Sequence, residues 1–438
     1  MISSTVYIET YGCQMNKLDS ENVSSILKSD GFTIVSEISD ADIILLNTCG
    51  VRENAEQRIY GRVGELSAYK KDKPELLFGI IGCMAQRLGD ELLSKNVRIV
   101  AGPDSYRKLP DMIKRATYEE VIDINLVKEE LYEDITPIRT SPFSAWVAIM
   151  RGCNNFCSYC IVPYTRGRER SIPHKIIINE INALVEAGYK EVTLLGQNVN
   201  SYCDNDVDFA GLLERVSSTG IEWIRFMTSH PKDLTDDILH VIAENKNICN
   251  HLHLPLQSGS DSILKAMNRG YTVSDYLGLI ERTRDIVGNI SITTDLIFGF
   301  PGETEQDYRA TISVMETVRF DFAFLYRYSE RAGTAACGLP GSVPEETRLD
   351  RLGHAIDIQN ATTREKNAGY IGSVMSVLVK SRSKDEKGWF GFSEFNIPVV
   401  FYTDNGNVKP GSIVKVLIES TTGASIVGKH IVSEPVIK

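Results

Sequence analysis

The chain has 438 residues, 42% hydrophobic and 24% charged, with 33 Gly and 15 Pro, which excludes disorder over most of its length and argues for roughly three domains. Apolar runs such as Ile43 to Leu46 and Leu76 to Ile81 fall far short of the ~20 residues that cross a bilayer, so no membrane association is expected. Nothing near Met1 resembles an export signal, which leaves a cytoplasmic location as the default. The net charge of −11 opposes nonspecific polyanion binding and confines any nucleic-acid contact to a local basic surface.

Val6 to Glu9, Asp42 to Leu46 and Leu76 to Ile81 read as strands, each followed by an amphipathic segment, as in an open α/β domain with a parallel sheet. A cysteine follows each strand: Cys13 in Tyr-Gly-Cys-Gln-Met-Asn, Cys49 in Asn-Thr-Cys-Gly and Cys83 in Ile-Gly-Cys-Met-Ala-Gln. Their spacings of 36 and 34 residues match one strand-helix unit, so the three thiols should converge on the carboxyl edge where such sheets bind ligands.

The Pro- and Thr-rich stretch 133–143 has no clear period and separates a first domain, 1–136, from a second, 140–370. There the strand-helix alternation resumes, with candidate strands Ala145 to Met150, Glu191 to Gly196, Trp223 to Thr228, His251 to Leu256, Ser291 to Phe298 and Phe322 to Tyr328. Six repeats predict a partial (β/α)6 barrel with its chemistry at the carboxyl strand ends, closed by a helix from about Pro344 to Asn367. Residues 371–438 change to alternating β-branched segments: Val374 to Val379, Ile397 to Tyr402, Ser412 to Ile418 and Ser425 to Ile431, with a turn at Asp404 to Asn407. They predict a small β-barrel whose net charge of +2 fits nucleic-acid binding, among the other purposes such barrels serve.

Cys153, Cys157 and Cys160 form a C-x3-C-x2-C loop directly after a predicted strand. Three thiolates on one tight loop hold three irons of a cubane and leave the fourth open. Zinc is the rival, but structural zinc takes four protein ligands, and the nearest further His or Cys is His174. The seven histidines show no ligand pairing, and Cys203, Cys249 and Cys337 are read as filler.

Cys-Asn-Asn-Phe-Cys-Ser-Tyr-Cys resembles the signature of radical S-adenosylmethionine (SAM) enzymes. Cys13, Cys49 and Cys83 in their contexts resemble the N-terminal domain of the methylthiotransferases, and the tail resembles a TRAM domain. Within that family, residues 10–16, 47–56, 161–170, 195–202 and 253–260 are most similar to the tRNA-modifying members, with Gln14-Met15-Asn16 and Arg166 to Arg170 the distinguishing segments. Ile172 and Phe392 depart from the family by standing where Arg is usual.

The resemblance implies two [4Fe-4S] clusters, one on Cys153, Cys157 and Cys160 that reduces SAM, and an auxiliary one on Cys13, Cys49 and Cys83 that presents sulfur. It implies conversion of N6-isopentenyladenosine at tRNA position 37 to its 2-methylthio derivative. Carbon 2 of adenine has an unactivated C–H bond, so no acid-base side chain is expected to be catalytic. The alternatives are methylthiolation of a ribosomal-protein aspartate or of threonylcarbamoyladenosine in tRNA, or a non-catalytic Fe–S scaffold that binds RNA. The partners implied are tRNA and an electron donor such as flavodoxin or ferredoxin, with the protein a monomer. Tyr159, Gln197, Asn198, Asp295, Gly299 and Glu303 are the candidate SAM contacts, and Arg166, Arg168 and Arg170 the candidate RNA contacts.

Overall fold

The computed structural model describes residues 4–50, 53–71, 73–404 and 406–431. Val51 and Arg52 in the second cysteine segment, Asn405 in the predicted turn and the end of the tail with Lys438 lie outside the described residues. No helix of the described residues is long and apolar enough to cross a membrane.

The N-terminal unit contains β1 (Thr5–Thr10), α1 (Gln14–Ser29), β2 (Thr33–Ile34), β3 (Ile43–Thr48), α2 (Glu53–Leu66), β4 (Leu77–Gly82), α3 (Cys83–Leu88), β5 (Ile99–Ala101), α4 (Leu109–Ala116) and β6 (Val121–Asp123). Its six strands are all parallel, in the order β2-β1-β3-β4-β5-β6. Every residue of β3 is buried, the pattern of a strand covered on both faces, and a separate apolar cluster fills each face. The short strands β2, β5 and β6 escape the sequence reading because two or three residues carry no legible period.

The central unit contains β7 (Ser144–Ala148), β8 (Met150–Arg151), α5 (Val162–Arg166), β9 (Arg170–Ser171), α6 (His174–Glu186), β10 (Glu191–Leu195), β11 (Cys203–Asp204), β12 (Val207–Asp208), α7 (Phe209–Ser217) and β13 (Trp223–Phe226). It continues with α8 (Asp236–Glu244), β14 (His251–His253), α9 (Asp261–Ala266), α10 (Val273–Val287), β15 (Ser291–Phe298), α11 (Glu305–Val318), β16 (Phe322–Arg327) and α12 (Glu345–Ala368). Two parallel three-stranded sheets, β13-β10-β7 and β14-β15-β16, meet through a bridge between Ile224 and Ile248, giving an open (β/α)6 arrangement. The first predicted strand is split, because Met150 and Arg151 leave it to pair antiparallel with Arg170 and Ser171.

The tail is a closed barrel of β17 (Val374–Arg382), β18 (Trp389–Ser393), β19 (Pro398–Tyr402), β20 (Ile413–Thr421) and β21 (Ile426–His430), in the order β17-β18-β19-β21-β20. Its fifth strand, β18, was not expected: Gly388 and Gly391 interrupt the β-branched alternation that marks the other four. Gly391 instead passes so close to β17 that a Cβ there would lie 2.2 Å from the Leu378 carbonyl oxygen.

The other two units cover the two ends of the central β7-β10-β13 sheet. Met15 and Leu18 of α1 pack on Trp146, Ala148, Leu195 and Met227 toward the carboxyl strand ends. Leu378 and Ile413 of the small barrel pack on Phe143, Trp223 and Cys249 at the amino ends. The small barrel is therefore separated from the cysteine edge by the length of a five-residue strand, roughly 17 Å.

Candidate functional site

Adjacent parallel strands place their carboxyl ends side by side, and β1, β3 and β4 are adjacent. Cys13 immediately precedes α1, Cys49 follows β3, and Cys83 opens α3. A Cβ on Gly12 would lie 2.7 Å from the Cys49 Cβ, and one on Gly50 would lie 3.4 Å from the Cys83 Cβ, so the three backbones crowd together. Two buried amides pin this edge. Asn16 Nδ2 donates to Asn47 Oδ1 (3.0 Å) and to the Thr48 carbonyl (3.2 Å), while Asn47 Nδ2 donates to the Asn16 carbonyl (2.8 Å). Asn16 and Asn47, conspicuous in the sequence beside the cysteines, thus hold the strand ends in register. Gly82, at φ +94°, is forced by the same amides, since a Cβ there would come 2.5 Å from Asn47 Oδ1. Gly82→Ala is expected to destabilise the fold by about 1–3 kcal/mol, measured by denaturant unfolding.

The second trio lies on a loop clamped to α9 and the turn after it. Ser158 donates from its N–H to the Met267 carbonyl (3.0 Å), and Asn268 Nδ2 reaches the Asn155 and Phe156 carbonyls (3.2 and 3.1 Å). Gln197 Oε1 accepts from the Gly152 N–H and so fixes the start of the loop. Burial pushes the Cys160 thiol up to about 12 and raises that of Cys153, so these groups stay protonated until a metal replaces the proton. Buried Arg269 donates from Nη1 to Cys157 Sγ and to Tyr159 Oη, both at 3.4 Å. Helix α5, which follows this loop, packs on α3, and its last residue, Arg166, donates from Nε to Cys83 Sγ at 3.1 Å. The two cysteine edges face each other across that contact.

All nine cysteines are free thiols, and among the described residues no three His, Cys, Asp or Glu side chains already converge as a ligand set. Two features suit iron-sulfur and SAM binding: each trio is all sulfur, and buried polar atoms stand orphaned beside the second. Asn198 Oδ1, both amide atoms of Asn200, Ser229 Oγ and His230 Nε2 are buried without a hydrogen-bond partner at the carboxyl ends of β10 and β13. Buried polar atoms left open in this way mark where a polar ligand is received. Burial, with Arg269 and Lys232 nearby, holds His230 down to about 2, so the ring is neutral. Its Nδ1 accepts from the Lys232 N–H (3.3 Å), which makes the orphaned Nε2 an N–H donor. Thr228 and Gln257, at the ends of neighbouring strands, are held at φ +72°. Asn200, Ser229 and His230 were missed in the sequence. Their signal was position, directly beyond the predicted strands ending at Gly196 and Thr228.

Most of the other predicted contacts already have protein partners. Glu303 is buried and accepts from the Gly299 N–H (2.9 Å) and Arg351 Nη1 (2.7 Å), with burial raising its pKa. A Cβ on Gly299 would lie 2.3 Å from Arg348 Cγ, so this glycine admits α12. Both residues thus also tie the end of β15 to α12. Asn198 donates to Asp233 (2.6 Å), and Asp295 lies 3.4 Å from His253 Nε2 on the inner face of the open barrel, half-buried. Of the three expected phosphate contacts, Arg166 is 3% exposed and paired with Asp19 (2.7 Å), and Arg170 grips Asp104 with both terminal nitrogens (3.1 and 3.2 Å). Burial takes Arg166 out of solvent, and Asp104 occupies the largely covered Arg170. Arg168 stays exposed, 4.5 Å above the Phe156 ring. Ile172 belongs to the central apolar core, which accounts for the missing arginine there.

Residues 5–102 match the family described as "Uncharacterized protein family UPF0004", and residues 147–315 match the radical SAM superfamily. A protein of Parabacteroides distasonis named tRNA-2-methylthio-N(6)-dimethylallyladenosine synthase is 47% identical over 97% of this chain and 95% of its own. Its namesake in Azobacteroides pseudotrichonymphae is 48% identical over 97% and 96%. Among solved structures, the radical SAM methyltransferase TsrM of Kitasatospora setae has a TM-score of 0.55 at 12% identity, covering 76% of this chain and 74% of that one. The cobalamin-dependent radical SAM enzyme OxsB has a TM-score of 0.54 at 13% identity, covering 83% and 56%; at such identities these two share the fold alone. Near-full-length identity to the curated relatives, together with both family matches, places the chain in the MiaB-type tRNA methylthiotransferase family of radical SAM enzymes.

Proposed function

We propose that the protein converts N6-isopentenyladenosine at tRNA position 37 to its 2-methylthio derivative. The observation that carries this reading is the facing of two all-cysteine edges across the α3–α5 contact, in a chain whose relatives bear that activity in their names. Cys153, Cys157 and Cys160 would hold the cluster that binds SAM, and Cys13, Cys49 and Cys83 the auxiliary cluster. Bound there, SAM and its cluster supply the radical that breaks an unreactive C–H bond, and the auxiliary cluster supplies sulfur.

The chain's own residues do the positioning. Gln197 and Asn268 fix the cysteine loop, and Asn200, Ser229 and His230 offer buried polar atoms to SAM. Met15 and Leu18 close the carboxyl half of the sheet against water. Domain limits of 1–136, 140–370 and 371–438, a cytoplasmic monomer and a flavodoxin- or ferredoxin-type donor complete the proposal.

For RNA, Arg168 and the barrel residues Arg382, Lys384, Lys387, Lys409, Lys415 and Lys429 are exposed cations, of which Arg382, Lys384 and Lys387 lie closest together in the sequence. Lys380 is already paired with Glu191 against the central unit. Deleting the barrel would strip that pairing and uncover Trp223, so point variants make the cleaner test. Replacing Arg382, Lys384 and Lys387 by Ala is expected to weaken tRNA binding and lower the log-log salt slope by about one unit per contact, with SAM cleavage retained. The test of the function itself is incubation of the reduced, iron-reconstituted protein with SAM and tRNA carrying isopentenyladenosine, followed by nucleoside mass spectrometry. A methylthio product on that base is expected. Methylthiolation of a ribosomal protein instead would reject the assignment.

A further inference from the structure

A group of charges at the junction of the N-terminal and central units does not balance. Asp19 of α1, with no solvent exposure, sits between Arg151 of β8 (3.3 Å) and Arg166 of α5 (2.7 Å). Beside them, Arg170 and Asp104 form a matched pair. Glu21, the next acid on α1, is spent on Arg139 and Thr140. Within this set of five side chains, three guanidinium groups thus meet two carboxylates, leaving one positive charge in excess; the neighbouring Arg107 is taken up by Glu130 and Asp134 nearer the surface.

Arg151 and Arg166 are 1% and 3% exposed, and Arg151 Nε and Arg166 Nη1 have no hydrogen-bond acceptor. An uncompensated buried cation is costly, and a neutral thiol does not offset it. Yet Arg166 Nε points at Cys83 Sγ at 3.1 Å.

Resting on the cluster reading above, we propose that Arg166, in excess over Asp19, is the counter-charge of the group held by Cys13, Cys49 and Cys83. Loading of the auxiliary site and docking of the N-terminal unit on the central one are then one electrostatic event. Thiolates on an iron-sulfur core bring the missing negative charge, supplied by one unit and neutralised by a cation of the other. Arg166 is a positioning residue here, acting through Cys83.

The test uses the full chain with Cys153, Cys157 and Cys160 replaced by Ala, so that iron reports on the auxiliary site alone. Arg166→Gln should move the midpoint potential of that cluster to more negative values in an EPR-monitored titration. Asp19→Asn, which leaves two positive charges in excess, should move it the opposite way, and Arg166→Lys should stay near the parent. Stability gives an independent readout. Apo Arg166→Gln, in which Asp19 and Arg151 balance, should melt no lower than the apo parent but gain less Tm on iron loading. Unchanged potentials in both variants, or equal destabilisation of apo and loaded Arg166→Gln, would overturn the proposal and leave an ordinary structural ion pair. A parent that binds no iron would instead reject the cluster assignment of Cys13, Cys49 and Cys83, and the proposal with it.

Discussion

Replacing Cys153, Cys157 and Cys160 by Ala should abolish formation of 5′-deoxyadenosine from SAM, whereas Ala at Cys13, Cys49 and Cys83 should spare that cleavage and stop methylthiolation. The asymmetry follows from placement. Cys153, Cys157 and Cys160 lie beside the orphaned polar atoms of Asn200, Ser229 and His230, while Cys13, Cys49 and Cys83 lie on a separate sheet edge across the α3–α5 contact. Iron content gives the control: about eight irons per reconstituted chain and about four in either triple variant, from four per cubane. Methylthio product from the Cys13, Cys49 and Cys83 variant would show that sulfur comes from elsewhere.

The second large effect is expected at the opposite end of the sheet. Glu191, at the start of β10, is 3% exposed and pairs with Arg225 (2.8 Å) and with Lys380 of the small barrel, while Arg225 Nη2 also donates to the Ser393 carbonyl (2.7 Å). Burial alone would raise the Glu191 pKa, but Arg225 and Lys380 outweigh it and bring it down to about 2. A carboxylate with a depressed folded-state pKa stabilises the fold above its unfolded value near 4.5, and loses that stabilisation as pH falls toward 2. The depression corresponds to about 3 kcal/mol. Glu191→Gln, which leaves two cations facing each other at a buried interface, should cost about 3–5 kcal/mol near neutral pH. Denaturant unfolding should show the gap between variant and wild type shrinking steadily between about pH 5 and pH 2. A gap independent of pH would mean that packing, not charge, joins the barrel to the central unit.

The cysteine trios, the strands that carry them and the three-part organisation could be read from the sequence by itself. Their signals are local: a three-cysteine loop spans eight residues, a strand-end cysteine recurs with each strand-helix unit, and a β-branched alternation needs no distant partner. Asn16 and Asn47 were also visible as motif residues, though not as the clasp between strand ends. What each charged side chain does was decided only by the tertiary structure. Arg166 and Arg170 read as a basic loop fit for phosphate, and became covered partners of Asp19 and Asp104 because α1 and the edge of the first sheet dock over them. Lys380 reads as part of a basic barrel, and is claimed by Glu191 because the barrel sits on the amino ends of the central strands. Burial turns a solvated charge into one that must be paired, and the pairing carboxylate comes from an element distant in sequence, so domain docking rather than local sequence selects it.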